Sequence, residues 1–60
     1  MRTAIYQYSG LVKRLRFKQA LVRDDPKNED NYLCQFDDRS LPEAYGWHSH
    51  PKKNFDHVSN

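Results

Sequence analysis

The three histidines of this chain, His48, His50 and His57, crowd into AYGWHSHPKKNFDH (residues 44–57) beside Asp56, and one cysteine, Cys34, lies upstream. These are the residue types that ligate transition metals. On a strand, imidazoles at i and i+2 share a face, so His48 and His50 could chelate one ion with His57 or Cys34 as a third ligand. The spacing does not specify such a site, because one Cys with scattered His lacks the paired motif that would. Exposed histidines flanking a turn are the simpler reading, and no metal or other cofactor is expected.

Cys34 shares the alternation of Tyr32 and Phe36, which reads as a buried small hydrophobe. Nucleophilic catalysis would need a base oriented by a third group. Cys34, His48 and Asp37 supply the types, with no spacing that joins them. The acids Asp24, Asp25, Glu29, Asp30, Asp37 and Asp38 cluster on turn-rich segments, where solvation leaves carboxylates untuned for acid–base work. Asp37 and Asp38 could take a hard cation only with further oxygen ligands. The only glycines are Gly10 and Gly46, so no glycine-rich phosphate loop exists. No enzyme is expected.

Binding chemistry is the alternative. The net charge is only +2, but residues 11–23 (LVKRLRFKQALVR) hold five basic residues and no acid, while 24–30 (DDPKNED) hold four acids and one lysine. Read as a strand, the first segment places Arg14, Arg16 and Lys18 in a row opposite Leu15 and Phe17, with Lys13 and Arg23 nearby. Such a row can track phosphates, and an exposed Tyr6 or Tyr8 could stack on bases. A solvated strand face that discourages edge pairing is the duller account, and the loop acids would repel phosphate.

The elements that must position these groups are short. TAIYQYS has strand bias and ends at the turn signal Ser9–Gly10. In residues 11–23 the period-2 pattern fits better than a helical one, with Ala20 and Val22 blurring its far end. RDDPKNEDN reads as a loop around Pro26, and NYLCQFDD as the returning strand of a hairpin. SLPEAYG has the Ser40–Glu43 capping-box spacing, an early Pro42 and a terminating Gly46, which predicts one helical turn near residues 41–45. WHSH predicts a short strand stopped by Pro51, with Trp47 plugging the end of the fold. NFDHV is a last strand or a packed tail.

This order, and the phrase ALVRDDPKNEDNYLCQFDD in particular, resembles an SH3-like small β-barrel of the Tudor or KOW kind over about residues 11–50. The resemblance implies a mainly β fold, an antiparallel barrel or strongly bent sheet. An aromatic cage does not map: Tyr6, Tyr8, Tyr32 and Tyr45 are available, but no spacing selects a box. The 60 residues allow one domain, 1–60, near the size limit for a self-sufficient core. With 37% hydrophobic residues but eight aromatics (one Trp, four Tyr, three Phe), that core must rest on rings. MRTAIYQYSG lacks the apolar stretch of a signal peptide, and no run approaches a membrane span. A lone cysteine fits a reducing compartment. The expectation is a complete, cytoplasmic gene product, monomer or homodimer, acting as a binding module. Its partner is nucleic acid or a nucleic-acid-handling complex. The alternative is an adaptor or inhibitor, of the sort phages encode, that binds one host protein through its basic and acidic patches.

Overall fold

The computed structural model describes residues 2–59. Five strands form one sheet: β1 (Arg2–Tyr6), β2 (Gln19–Asp25), β3 (Asn28–Phe36), β4 (His48–Pro51) and β5 (Phe55–Ser59). All pairings are antiparallel, in the order β4-β3-β2-β1-β5. Three 3₁₀ turns, Lys13–Leu15, Pro42–Ala44 and Lys52–Asn54, join them. No helix among the described residues is long and apolar enough to cross a membrane.

The sheet is strongly bent, and ring contacts prove it. β3 and β5 are three strand spacings apart, which is about 14 Å in a flat sheet. Yet the Phe55 ring lies 5.7 Å from Tyr32 and 6.3 Å from Phe36. Tyr6 of β1 likewise meets His50 of β4 at 5.8 Å, edge to face. The two edge strands therefore curl toward one another without a ladder between them, and the sheet stays open.

Alternation selects the concave face. Ala4 and Tyr6, Ala20 and Val22, Tyr32, Cys34 and Phe36, and Phe55 are buried there, while Leu15 and Leu41 close the ends. Ala4 and Ala20 are directly paired across β1 and β2, and their small side chains leave room for the rings that cross the bend. Gly10 is required for the same reason. A Cβ at that position would fall within the Tyr6 ring, so only glycine lets the backbone lie on the aromatic face.

Several sequence expectations are corrected here. The strand expected from residue 11 begins at Gln19, and residues 11–18 instead form an arch containing the Lys13–Leu15 turn. Leu15 is fully buried and anchors the arch. Phe17 adopts φ +64°, which ends any extended run. The inward residues of β2 are Ala20 and Val22, and Leu21 faces outward. The Pro26 loop is far shorter than RDDPKNEDN suggests. Strand pairing runs through Asp25 and Asn28, with Asp25 Oδ1 accepting from Lys27 N at 2.9 Å to close the turn.

The turn expected near 41–45 is present as Pro42–Ala44, stopped by Gly46 at φ +80°. Its capping box does not form. Ser40 Oγ donates to Asp38 at 2.6 Å, and Glu43 pairs with Arg14. Trp47 is no plug. It is 36% exposed and lies under the Arg23 guanidinium, 4.7 Å from its centroid. Phe55, at the start of β5, takes the closing role expected of Trp47.

Candidate ligand-binding site

The arch between β1 and β2, residues 7–18, carries two exposed aromatic rings, Tyr8 and Phe17, among basic residues. Its base is clamped by two backbone bonds, Phe17 N to Tyr6 O at 2.9 Å and Tyr6 N to Lys18 O at 3.0 Å. Gly10 N donates to Gln7 O at 3.1 Å to form the first turn, and Leu15 N to Val12 O at 3.0 Å begins the second. Gln7 N reaches Asn54 O at 2.8 Å, tying the arch to the turn before β5. The arch is thus a hydrogen-bonded scaffold, which limits the ordering cost a ligand must meet.

Two rings stand on it. Tyr8 and Phe17 are 66% and 67% exposed, and they stack at 5.7 Å with their planes 29° apart. The Arg16 guanidinium lies 5.0 Å from the Tyr8 centroid while its Nε donates to Gly10 O at 3.3 Å. A positive φ at Phe17 costs a non-glycine residue about 1–2 kcal/mol, and the bonds from Phe17 N to Tyr6 O and from Lys18 N to Leu15 O hold the backbone there with the ring exposed.

The other sequence candidates divide. Lys13 is exposed on the same arch and, with Arg16, pairs with no carboxylate among the described residues. Arg14 instead bonds Glu43, whose side chain is only 10% exposed, and the guanidinium holds that carboxyl below its ordinary range. Lys18 binds Asp38 at 2.7 Å, and this bond, followed by those from Ser40, depresses the Asp38 carboxyl strongly. Both cations are neutralised in place and fasten the arch to the β3–β4 connection. Arg23 sits on the convex face over Trp47, away from the row expected for it. Tyr6, expected to be exposed, is fully buried, with Phe36 at 5.9 Å and Phe55 at 5.5 Å around its ring. It cannot stack on a ligand.

The histidines do not converge. His50 packs edge-on against Tyr6 and Phe36, and burial holds its imidazole below the ordinary 6.5, with His48 adding to the shift. His48 Nε2 lies 2.9 Å from Tyr45 O, and His57 is exposed on β5 in a left-handed conformation. No three His, Cys, Asp or Glu side chains among the described residues come together as a metal site. Cys34 is fully buried, as its alternation indicates, and donates to His48 O at 3.2 Å. Burial pushes its thiol up to about 12, and no imidazole reaches it as a base. The first half of the acidic segment is likewise committed. Asp24 accepts from Arg2 at 2.9 Å and pairs with Lys52 at 3.2 Å, and Asp25 is buried under Ser49 Oγ at 2.7 Å.

Of the sequence candidates, the structure therefore brings Arg16 onto Tyr8 and leaves Lys13 exposed on the same arch. Phe17, which the alternation placed on the core side, is the functional candidate that sequence reasoning missed. Its flanking basic residues were the available signal, since an aromatic between Arg16 and Lys18 fits a surface better than a core. No protein-family model, curated protein or solved structure matches the chain.

Proposed function

We propose that this chain is a small non-enzymatic binding module that holds single-stranded nucleic acid on the β1–β2 arch, with Tyr8 and Phe17 as the stacking platform and Arg16 and Lys13 as its cations. The exposed Tyr8–Phe17 stack, beside an arginine with no carboxylate partner among the described residues, carries this reading. Base–aromatic stacking contributes about 1–3 kcal/mol per base and tolerates any sequence. The five-strand order, with β5 beside β1 and a 3₁₀ turn before it, supports an SH3-like small barrel left open along one side. A buried, unpaired Cys34 supports a reducing compartment such as the cytoplasm.

A second reading, a protein-binding adaptor, is favoured by one observation. Leu11 on the same arch is 90% exposed and offers an apolar anchor that phosphate recognition does not need. The acidic half of the contact is reduced to Glu29 and Asp30, because Asp24 and Asp25 are engaged internally.

The test is fluorescence anisotropy of a labelled twelve-nucleotide oligo-dT at low salt. Tyr8→Ala and Phe17→Ala should each weaken binding by about 5- to 150-fold, the equivalent of one lost stack. Binding indifferent to both substitutions, or no binding by the wild type, would overturn the proposal.

A further inference from the structure

Beyond the arch, the end of the sheet carries an open trough that none of the strand-based reasoning reaches. It consists of two clefts. The first, about 380 Å³, is lined by Ser9, Leu11, Pro51, Lys53 and Asn54, and begins one residue after Tyr8. The second, about 470 Å³, is lined by Asp30, Asn31, Pro51, Lys52 and Lys53. Pro51 and Lys53 line both, so the clefts adjoin at these two residues. Their position relative to the platform is fixed, because the Gln7 amide side chain donates to Lys53 O and Gln7 N donates to Asn54 O.

The charges along this trough are unequal. Lys52 is occupied, 3.2 Å from Asp24 and 5.2 Å from the Tyr32 centroid. Lys53 is exposed and pairs with no carboxylate among the described residues. It therefore stands as a lone cation at the junction of the two clefts, next to the apolar surfaces of Leu11 and Pro51. Asp30 lies at the far mouth.

We infer that a single strand stacked on Tyr8 and Phe17 continues into this trough, with a phosphate on Lys53 and with Asp30 ending the track. This rests on the proposed nucleic-acid reading and extends it from a stacking point to a path. The unpaired Lys53 where the clefts meet chooses the occupant. A polyanion with flat, partly apolar bases matches that one cation flanked by Leu11 and Pro51, and Asp30 at the far mouth sets a limit to the bound length. The site size falls near the short end of the range for small single-strand-binding folds, about 4 nucleotides.

Salt dependence reads the number of phosphates engaged. For single strands each contact contributes about −0.7 to the slope of log K against log salt. Lys13 and Arg16 alone give about −1.4, and adding Lys53 gives about −2.1. Removing one such contact weakens binding about eightfold at 50 mM salt and about threefold at 200 mM by the same relation.

The experiment is a salt series of anisotropy titrations with oligo-dT of two, four and eight nucleotides, using wild type, Lys53→Ala and Tyr8→Ala, each checked for folding by circular dichroism. Expected are tighter binding from two to four nucleotides and a wild-type slope near −2.1. Lys53→Ala should lower the slope to about −1.4 and remove the gain with length. A Lys53→Ala protein that keeps the wild-type slope and affinity, while Tyr8→Ala loses binding, refutes the trough and leaves the platform standing. Loss with Lys53→Ala but none with Tyr8→Ala refutes the platform, and with it the continuous path. A wild type that binds none of the three oligonucleotides refutes both.

Discussion

Phe17 allows backbone strain and ligand binding to be separated by one pair of substitutions. Phe17→Ala and Phe17→Gly both delete the ring and its stack on Tyr8, so the difference between them isolates the backbone at φ +64°. In ordinary strand or helix positions glycine is the less stable by about 0.5–1 kcal/mol, because the unfolded chain gains entropy. In the left-handed region alanine suffers a steric penalty of about 1–2 kcal/mol that glycine escapes. The balance favours Phe17→Gly over Phe17→Ala by about 0.5–1 kcal/mol, a reversal of the usual order. Urea unfolding followed by circular dichroism can resolve this. With a slope near 1 kcal/mol/M for so small a chain, the midpoints should differ by about 0.5–1 M. Phe17→Ala proving the more stable would refute the strained conformation. Both variants should bind oligo-dT equally poorly. Wild-type affinity in Phe17→Gly would show that the ring does not contact the ligand.

Three further outcomes are expected. Cys34, with its thiol buried and pushed up to about 12, should resist alkylation at pH 8 in the folded protein and react promptly in denaturant; equal rates would place it at the surface. His50 titrates below 6.5 when folded, so the unfolded chain binds more protons and stability should fall as the pH drops through and below 6.5. His50→Gln should flatten that window in pH-dependent urea melts. The depressed carboxyls of Glu43, Asp24, Asp25 and Asp38 should cause a separate loss only below about pH 4.5, the top of the ordinary carboxyl range. Gly10→Ala should destabilise the fold by about 1–3 kcal/mol, because its methyl must displace the Tyr6 ring from a packed core; an unchanged melting temperature would contradict that contact.

The hairpin, the turn at Pro42–Ala44 and the inward set Tyr32, Cys34 and Phe36 were legible because each depends on local rules. Alternation, turn chemistry and a left-handed glycine act within a few residues. The β1–β2 segment was not legible. LVKRLRFKQALVR alternates clearly only over residues 14–19, yet the extended part begins at Gln19, and Phe17 falls out of phase through a positive φ that no local preference favours. Trp47, expected to plug the end of the fold, lies at the surface under Arg23, and Phe55 closes the core instead, because β5 reaches across the bend to the rings of β3.

The chain's sequence by itself determined that this is a mainly β, ring-centred fold of one small sheet, because hydrophobic alternation and turn residues are written at short range. Only the tertiary structure decided which cations are free. Glu43, Asp38 and Asp24 come from distant segments to neutralise Arg14, Lys18 and Lys52, while Lys13, Arg16 and Lys53 meet no acid among the described residues. Charge on a segment is a local property, but its availability to a ligand depends on what the fold brings beside it.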